Sequence, residues 1–154
     1  MLNRWLEKGS SYPFIFDEAY FKCKDIEYSK EEFISLSLDI FRNFTPKISL
    51  SNRSKYFLEF FKENYELFLI TDGNPILQEK KYKALKLSIF FDEENVVFTG
   101  KYSSDYHKPN TRSLDLLSIK NGQSVFFGDR DNDRDFALSV NMKFQRVYNM
   151  IELK

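Results

Sequence analysis

The sequence predicts an α/β fold, a Rossmann-like parallel sheet preceded by a helical segment. Three observations carry this. Short apolar runs in "ELFLITDGN", "NVVFTG" and "SVFFGD" alternate with stretches of helical periodicity over the later part of the chain. Each run closes on small or polar residues, as strands buried on both faces do. The first part of the chain reads as helices.

The first helix with a clear start is "SKEEFISLSLDIFRNF". Ser29 is followed three residues later by Glu32, a capping box. Phe33, Leu36, Ile40, Phe41 and Phe44 then share one face, which is read as core. Pro46 in "TPKIS" breaks the pattern. "NRSKYFLEFFKENY" is a second helix, with Phe57, Phe60, Phe61 and Tyr65 along a stripe. "ELFLITDGN" is a buried strand, and "PILQEKKYKALKL" is a helix with Pro75 in its first turn. "NVVFTG" is a short strand, and "KPNTRSLDLLSI" a loop feeding a helix. "SVFFGD" is a strand, "NDRDFALSV" a helix and "FQRVYN" a last strand.

Composition bounds the function. The chain has 154 residues, with Lys+Arg and Asp+Glu both 23. This length gives one compact domain with a real core. Balanced charge without a basic stripe argues against a nucleic-acid partner. The apolar runs are too short to span a bilayer, so no membrane partner is expected. The start "MLNRWLEKGSS" lacks a secretory signal, and Cys23 is the single cysteine, so the reading is a reducing cytoplasm. Cys23 is expected to be a small buried filler, His107 an exposed loop residue and Trp5 a packing residue.

The chemistry gathers at strand ends, where ligands bind in parallel sheets. "LITDGN" places Thr71, Asp72 and Gly73 behind a strand. "HKPN" carries Lys108, and "FFGDRDND" carries Asp129 and Asp133. A hydroxyl with backbone N–H groups, an ammonium and paired carboxylates suit a phosphoryl group beside Mg²⁺. Thr71, Asp72, Gly73 and Lys108 would bind the phosphate, with Thr71 and Lys108 serving the chemistry. Asp129 and Asp133 would hold the metal, which would make the repulsion within the acidic run tolerable. Asp135 is the alternative second carboxylate if the register slips. A calcium loop starting at Asp129 is rejected: Arg134 stands where the turn needs glycine, and Val140 where a bidentate glutamate belongs.

These three constellations, in this order, resemble motifs of the haloacid dehalogenase-like hydrolases, mostly phosphatases. "LITDG" is similar to their second motif, "HKPN" to the third and "GDRDND" to the fourth, with its GDxxxD spacing. Ala137 and Met142 fit the helix after the fourth motif, while Asn141 stands where glycine is usual. The resemblance implies Mg²⁺-dependent hydrolysis of a small phosphorylated metabolite. It also implies a helical cap segment over residues 1–45 and an α/β core over residues 46–154.

One motif of that family is not found. Its first, DxDxT, supplies the nucleophilic aspartate and the acid-base, and no DxDxT precedes Thr71. "YPFIFDEAY" mimics the strand-then-aspartate pattern with Asp17 as a weak nucleophile candidate. It departs at Ala19, where the acid-base belongs, and at Phe21, where threonine belongs. The core is therefore expected to lack its usual first strand, leaving a slot between the strands of Thr71 and Asp129. The chain reads as a truncated or split member, completed by a partner chain or a homodimer. The alternative is a non-catalytic phosphate-binding or protein-interaction module.

Overall fold

The computed structural model describes residues 3, 12–119, 124–148 and, as backbone, 151–153. Trp5 lies outside them. The chain divides into two compact units, residues 1–45 and 46–154.

The first unit holds α1 (Ile15–Lys22) and α2 (Lys30–Asn43). Ser29 and Glu32 form the expected capping box, with the Ser29 N–H donating to the Glu32 carboxylate at 2.9 Å. The helices meet through aromatic rings: Phe16 lies edge-on to Phe41 at 6.1 Å, and Tyr20 against Phe33 at 5.6 Å. Ala19 is buried between neighbours. The stripe expected to be core is not. Leu36, Ile40, Phe41 and Phe44 are all exposed, Ile40 at 70%. Two short helices bury one interface between them, and among the described residues of this unit nothing covers the far side of α2. Cys23 is also exposed rather than buried, because it caps the C-terminus of α1.

The second unit alternates strand and helix. In order come β1 (Ile48–Leu50), α3 (Asn52–Asn64), β2 (Leu69–Thr71), α4 (Pro75–Ala84), β3 (Val96–Phe98), β4 (Val125–Gly128), α5 (Asp131–Ser139), β5 (Lys143–Arg146) and β6 (Ile151–Leu153). Side-chain caps start two of the helices: Ser51 accepts from Ser54 N, and Asn74, just before Pro75, accepts from Leu77 N. β2 runs parallel to β3, with Thr71 opposite Phe98. β4 runs parallel to β5, with Gly128 opposite Arg146. Among the described residues, no backbone ladder joins β2 to β4.

Periodicity did not mark the antiparallel pair β1–β6, in which Leu50 faces Ile151. The segment after Pro109 also differs: it is a tight turn over Arg112–Leu116 rather than an α-helix. Five residues fall short of a stable α-helical nucleus, and i→i+3 bonds close the turn instead, Leu117 N to Leu114 O at 3.0 Å.

The core lies in two places. Leu50, Leu85, Phe90 and Phe91 pack with Leu58, Leu69 and Val96 around β1, β2 and β3. Phe136 and Ala137 of α5 are fully buried, Phe136 at 5.1 Å from Phe126. Phe127, the next residue of β4, meets Phe61 of α3 at 5.4 Å. Successive strand residues point to opposite faces, so α5 and α3 cover opposite faces of β4. That cover is incomplete on the α3 side, where Val125 and Phe127 stay about half exposed.

Asn141 explains itself here. Its φ is +56°, and Asn141 N and Met142 N donate to Leu138 O and Ala137 O at 3.2 and 2.9 Å. This is a Schellman close of α5, whose left-handed residue is usually glycine and tolerates asparagine. Among the described residues, no helix is long and apolar enough to cross a membrane.

Candidate functional site

Thr71, Asp72 and Gly73 leave the carboxyl end of β2 and turn into α4. The turn is fixed from β3. Thr99, fully buried, donates its hydroxyl to Asp72 Oδ1 at 2.7 Å and lies 3.3 Å from the Thr71 carbonyl. The next residue, Gly100, is pressed against the same turn: a Cβ there would stand 2.0 Å from the Gly73 carbonyl oxygen. Gly73 itself has φ +107°, where a side chain is strained. The Thr71 hydroxyl donates to Gln78 Oε1 on α4 at 3.1 Å.

The carboxyl end of β4 is fixed by its own next residues. Asp133, on the first turn of α5, is 6% exposed. Its Oδ2 accepts from Asp129 N and Arg130 N, both at 3.2 Å, so it caps its own helix start. Gly128 leaves it room: a Cβ there would stand 2.5 Å from Asp133 Cβ.

Lys108 joins the two ends. Its ammonium pairs with Asp133 Oδ1 at 2.7 Å and stands 3.9 Å from Asp72 Oδ2. It donates to the Ile70 carbonyl at 3.3 Å and lies 5.4 Å from the centre of the Phe126 ring. The Lys108 backbone N–H also donates to Asp72 Oδ2, at 3.3 Å. Carbonyls alternate along a strand. The Thr71 carbonyl faces Thr99 on the β3 side, so that of Ile70 faces the other edge. Lys108 therefore spans the gap between the two ladders, and two carboxylates and a carbonyl stabilise its buried charge.

The alternating aspartates now separate. Asp131 pairs with Arg146 at 2.5 Å and Arg134 at 3.3 Å, and the hydrogen bond from Arg146, with the charge of both arginines, holds its carboxyl below the usual range. Asp135 pairs with Arg134 at 3.0 Å on the surface, away from Lys108. Asp133 is buried against Lys108. Asp129 is exposed, and its carboxylate has no hydrogen bond or ion pair among the described residues. Mutual repulsion is thus relieved by Arg134, Arg146 and Lys108, and one carboxylate stays open at the strand end. Among the described residues no cluster of three His, Cys, Asp or Glu side chains forms a ready metal cage. One open carboxylate beside a second is still a donor set that suits Mg²⁺, which keeps most of its waters.

Two further residues singled out in the sequence bear on the site. Asp17 belongs to α1 of the first unit and pairs with Lys30 at 2.8 Å, so it does not end a strand. His107, expected to be an exposed loop residue, is half-buried, and its Nε2 is buried without a hydrogen-bond partner among the described residues. Sequence reasoning missed Thr99, Gly100 and Gln78. The "TG" closing "NVVFTG" was the one signal for the first two, as small residues at a strand end next to "TDG". Gln78 carried none.

No family model matches the chain. A curated relative, the glyceraldehyde 3-phosphate phosphatase of Pyrococcus furiosus, is 29% identical over 140 residues. The match takes in 89% of this chain, which spans 58% of the relative's length. A crystal structure from Thermotoga maritima, described as a β-phosphoglucomutase, matches with a TM-score of 0.65 at 20% identity, over 93% of this chain and 67% of that one. That likeness establishes the fold, a Rossmann-type α/β architecture.

Proposed function

We propose that the chain serves Mg²⁺-dependent hydrolysis of a small phosphomonoester. The observation that carries this is the Asp72–Lys108–Asp133 bridge, which brings the three sequence motifs to one place. The Thr71 hydroxyl and the backbone N–H groups of Asp72 and Gly73 bind phosphate oxygens. Lys108 neutralises charge that develops on the phosphoryl group. Asp129 holds Mg²⁺, with Asp133 reached through water, and the ion supplies electrophilic charge at the phosphate. The name of the Pyrococcus relative makes a triose phosphate the first substrate to try. Cytoplasmic placement stays part of this reading.

The attacking carboxylate is the part the sequence does not supply. We infer that a different partner chain provides it on a strand laid between β2 and β4, where, among the described residues, Lys108 alone meets the Ile70 carbonyl. A second reading, a phosphate-binding module without turnover, is favoured by Asp17 sitting in a helix against Lys30.

The test is phosphatase activity of the purified chain on p-nitrophenyl phosphate and glyceraldehyde 3-phosphate, with Mg²⁺ and with EDTA. Asp129→Ala and Asp17→Ala are run beside it. Activity that needs Mg²⁺ and dies in Asp129→Ala alone supports hydrolysis by this site. Loss in Asp17→Ala as well makes Asp17 the nucleophile and removes the need for a partner. No turnover by a folded chain that still binds phosphate is expected of the binding module and of a chain without its partner alike. Mg²⁺-dependent turnover by the chain isolated in its native complex, lost in Asp129→Ala, then selects the enzyme, and none selects the binding module.

A further inference from the structure

The Thr71 hydroxyl has one proton to give, and here it is given to Gln78 Oε1. Gln78 sits on α4 with its carboxamide folded back over the turn that Thr71 begins. Its Nε2 stands 3.2 Å from where a Cβ on Gly73 would lie, and has no hydrogen-bond partner among the described residues. A carboxamide accepts at one end and donates at the other. With its oxygen toward Thr71, it takes the proton that a phosphate oxygen would need. Turned about its soft terminal torsion, it donates Nε2–H to Thr71 Oγ1 and leaves the hydroxyl proton free.

We propose that Gln78 is a positioning residue for the anion site: its carboxamide reverses when phosphate arrives and directs the Thr71 proton at the phosphate. This rests on the reading of Thr71 as a phosphate-binding hydroxyl. The consequence is a coupling between the two side chains. Gln78→Glu can only accept once ionised, so it keeps the Thr71 proton, and its charge repels the anion as well. Only the second effect survives when Thr71 is replaced.

The experiment is titration of the full chain with inorganic phosphate, followed by calorimetry, for wild type, Thr71→Val, Gln78→Glu and the double variant. Circular dichroism confirms that each is folded. Gln78→Glu is expected to weaken phosphate binding about tenfold with Thr71 in place and about threefold or less in the Thr71→Val background, a coupling typical of residues in direct contact. Equal losses in both backgrounds overturn the inference, because charge alone then accounts for them. Binding that Thr71→Val loses and Gln78→Glu keeps overturns it alone. A folded wild type that binds no phosphate overturns it together with the phosphate reading.

Discussion

The carboxyl ends of β2 and β4 do the same job by different means. The β2 end is shaped from outside: Thr99 and Gly100, far away in the chain, hold Asp72 and press on Gly73. The β4 end is shaped from within, by Asp133 accepting from the N–H groups of residues three and four positions earlier. A turn held locally keeps its form wherever its strand goes. A turn held across the sheet keeps its form only while the neighbouring strand stays in register.

The bridge between the ends should be the easiest part to break. Lys108→Met leaves Asp133 charged and buried without its partner, and a loss of about 4 kcal/mol is expected in urea unfolding. Adding Asp133→Asn to Lys108→Met should recover much of it, since asparagine still accepts from Asp129 N and Arg130 N. A double variant no more stable than Lys108→Met would show that the pair's charge is not what matters.

The glycines separate the two means of support. In Gly100→Ala the new methyl meets a backbone carbonyl, so the β2 turn must shift as a whole, at a cost of about 3 kcal/mol. In Gly128→Ala it meets Asp133 Cβ, which no side-chain rotation moves, so the start of α5 must shift instead, at a cost of about 2 kcal/mol. Amide chemical shifts should change around Thr71 in the first and around Asp129 in the second. Shifts spreading equally over both ends would dissolve the contrast.

Thr99→Val sharpens it further. It removes the bond to Asp72 Oδ1 while keeping shape, and about 1 kcal/mol should be lost in thermal unfolding with Asp129 and Arg130 amides undisturbed. The smallest effect is expected at Asp131. Its carboxyl is held low by Arg146 and Arg134, so its contribution to stability is present above the ordinary aspartate value and is lost as pH falls through the depressed one. Wild type should therefore exceed Asp131→Asn in stability near neutrality and converge with it in acid unfolding.

The same contrast explains what could be read in advance. "GDRDND" was legible because the contacts that shape it lie within the motif, as was the Ser29–Glu32 cap. Thr71 and Lys108 were legible as positions, but not the Thr99 and Gln78 bonds that surround them, since separations of 28 and 7 residues leave no periodic trace. Leu36, Ile40 and Phe41 misled for the reverse reason. Their spacing fixes a shared helix face, and spacing does not say what covers it. The pair β1–β6 likewise needs partners from the two ends of its unit, and its three-residue strands are too short for alternation to mark.

The lysine between the ladders also makes the molecule its own reporter. An ammonium held by a carboxylate, a carbonyl and an aromatic face exchanges its protons with water far more slowly than a solvated lysine. Lys108 Nζ should therefore give a resolved nitrogen resonance in a chain whose other lysines are mostly silent. A phosphate at Thr71, a cation at Asp129 or a strand along β2 would each change what surrounds that one nitrogen, and each would move its signal before any turnover is measured.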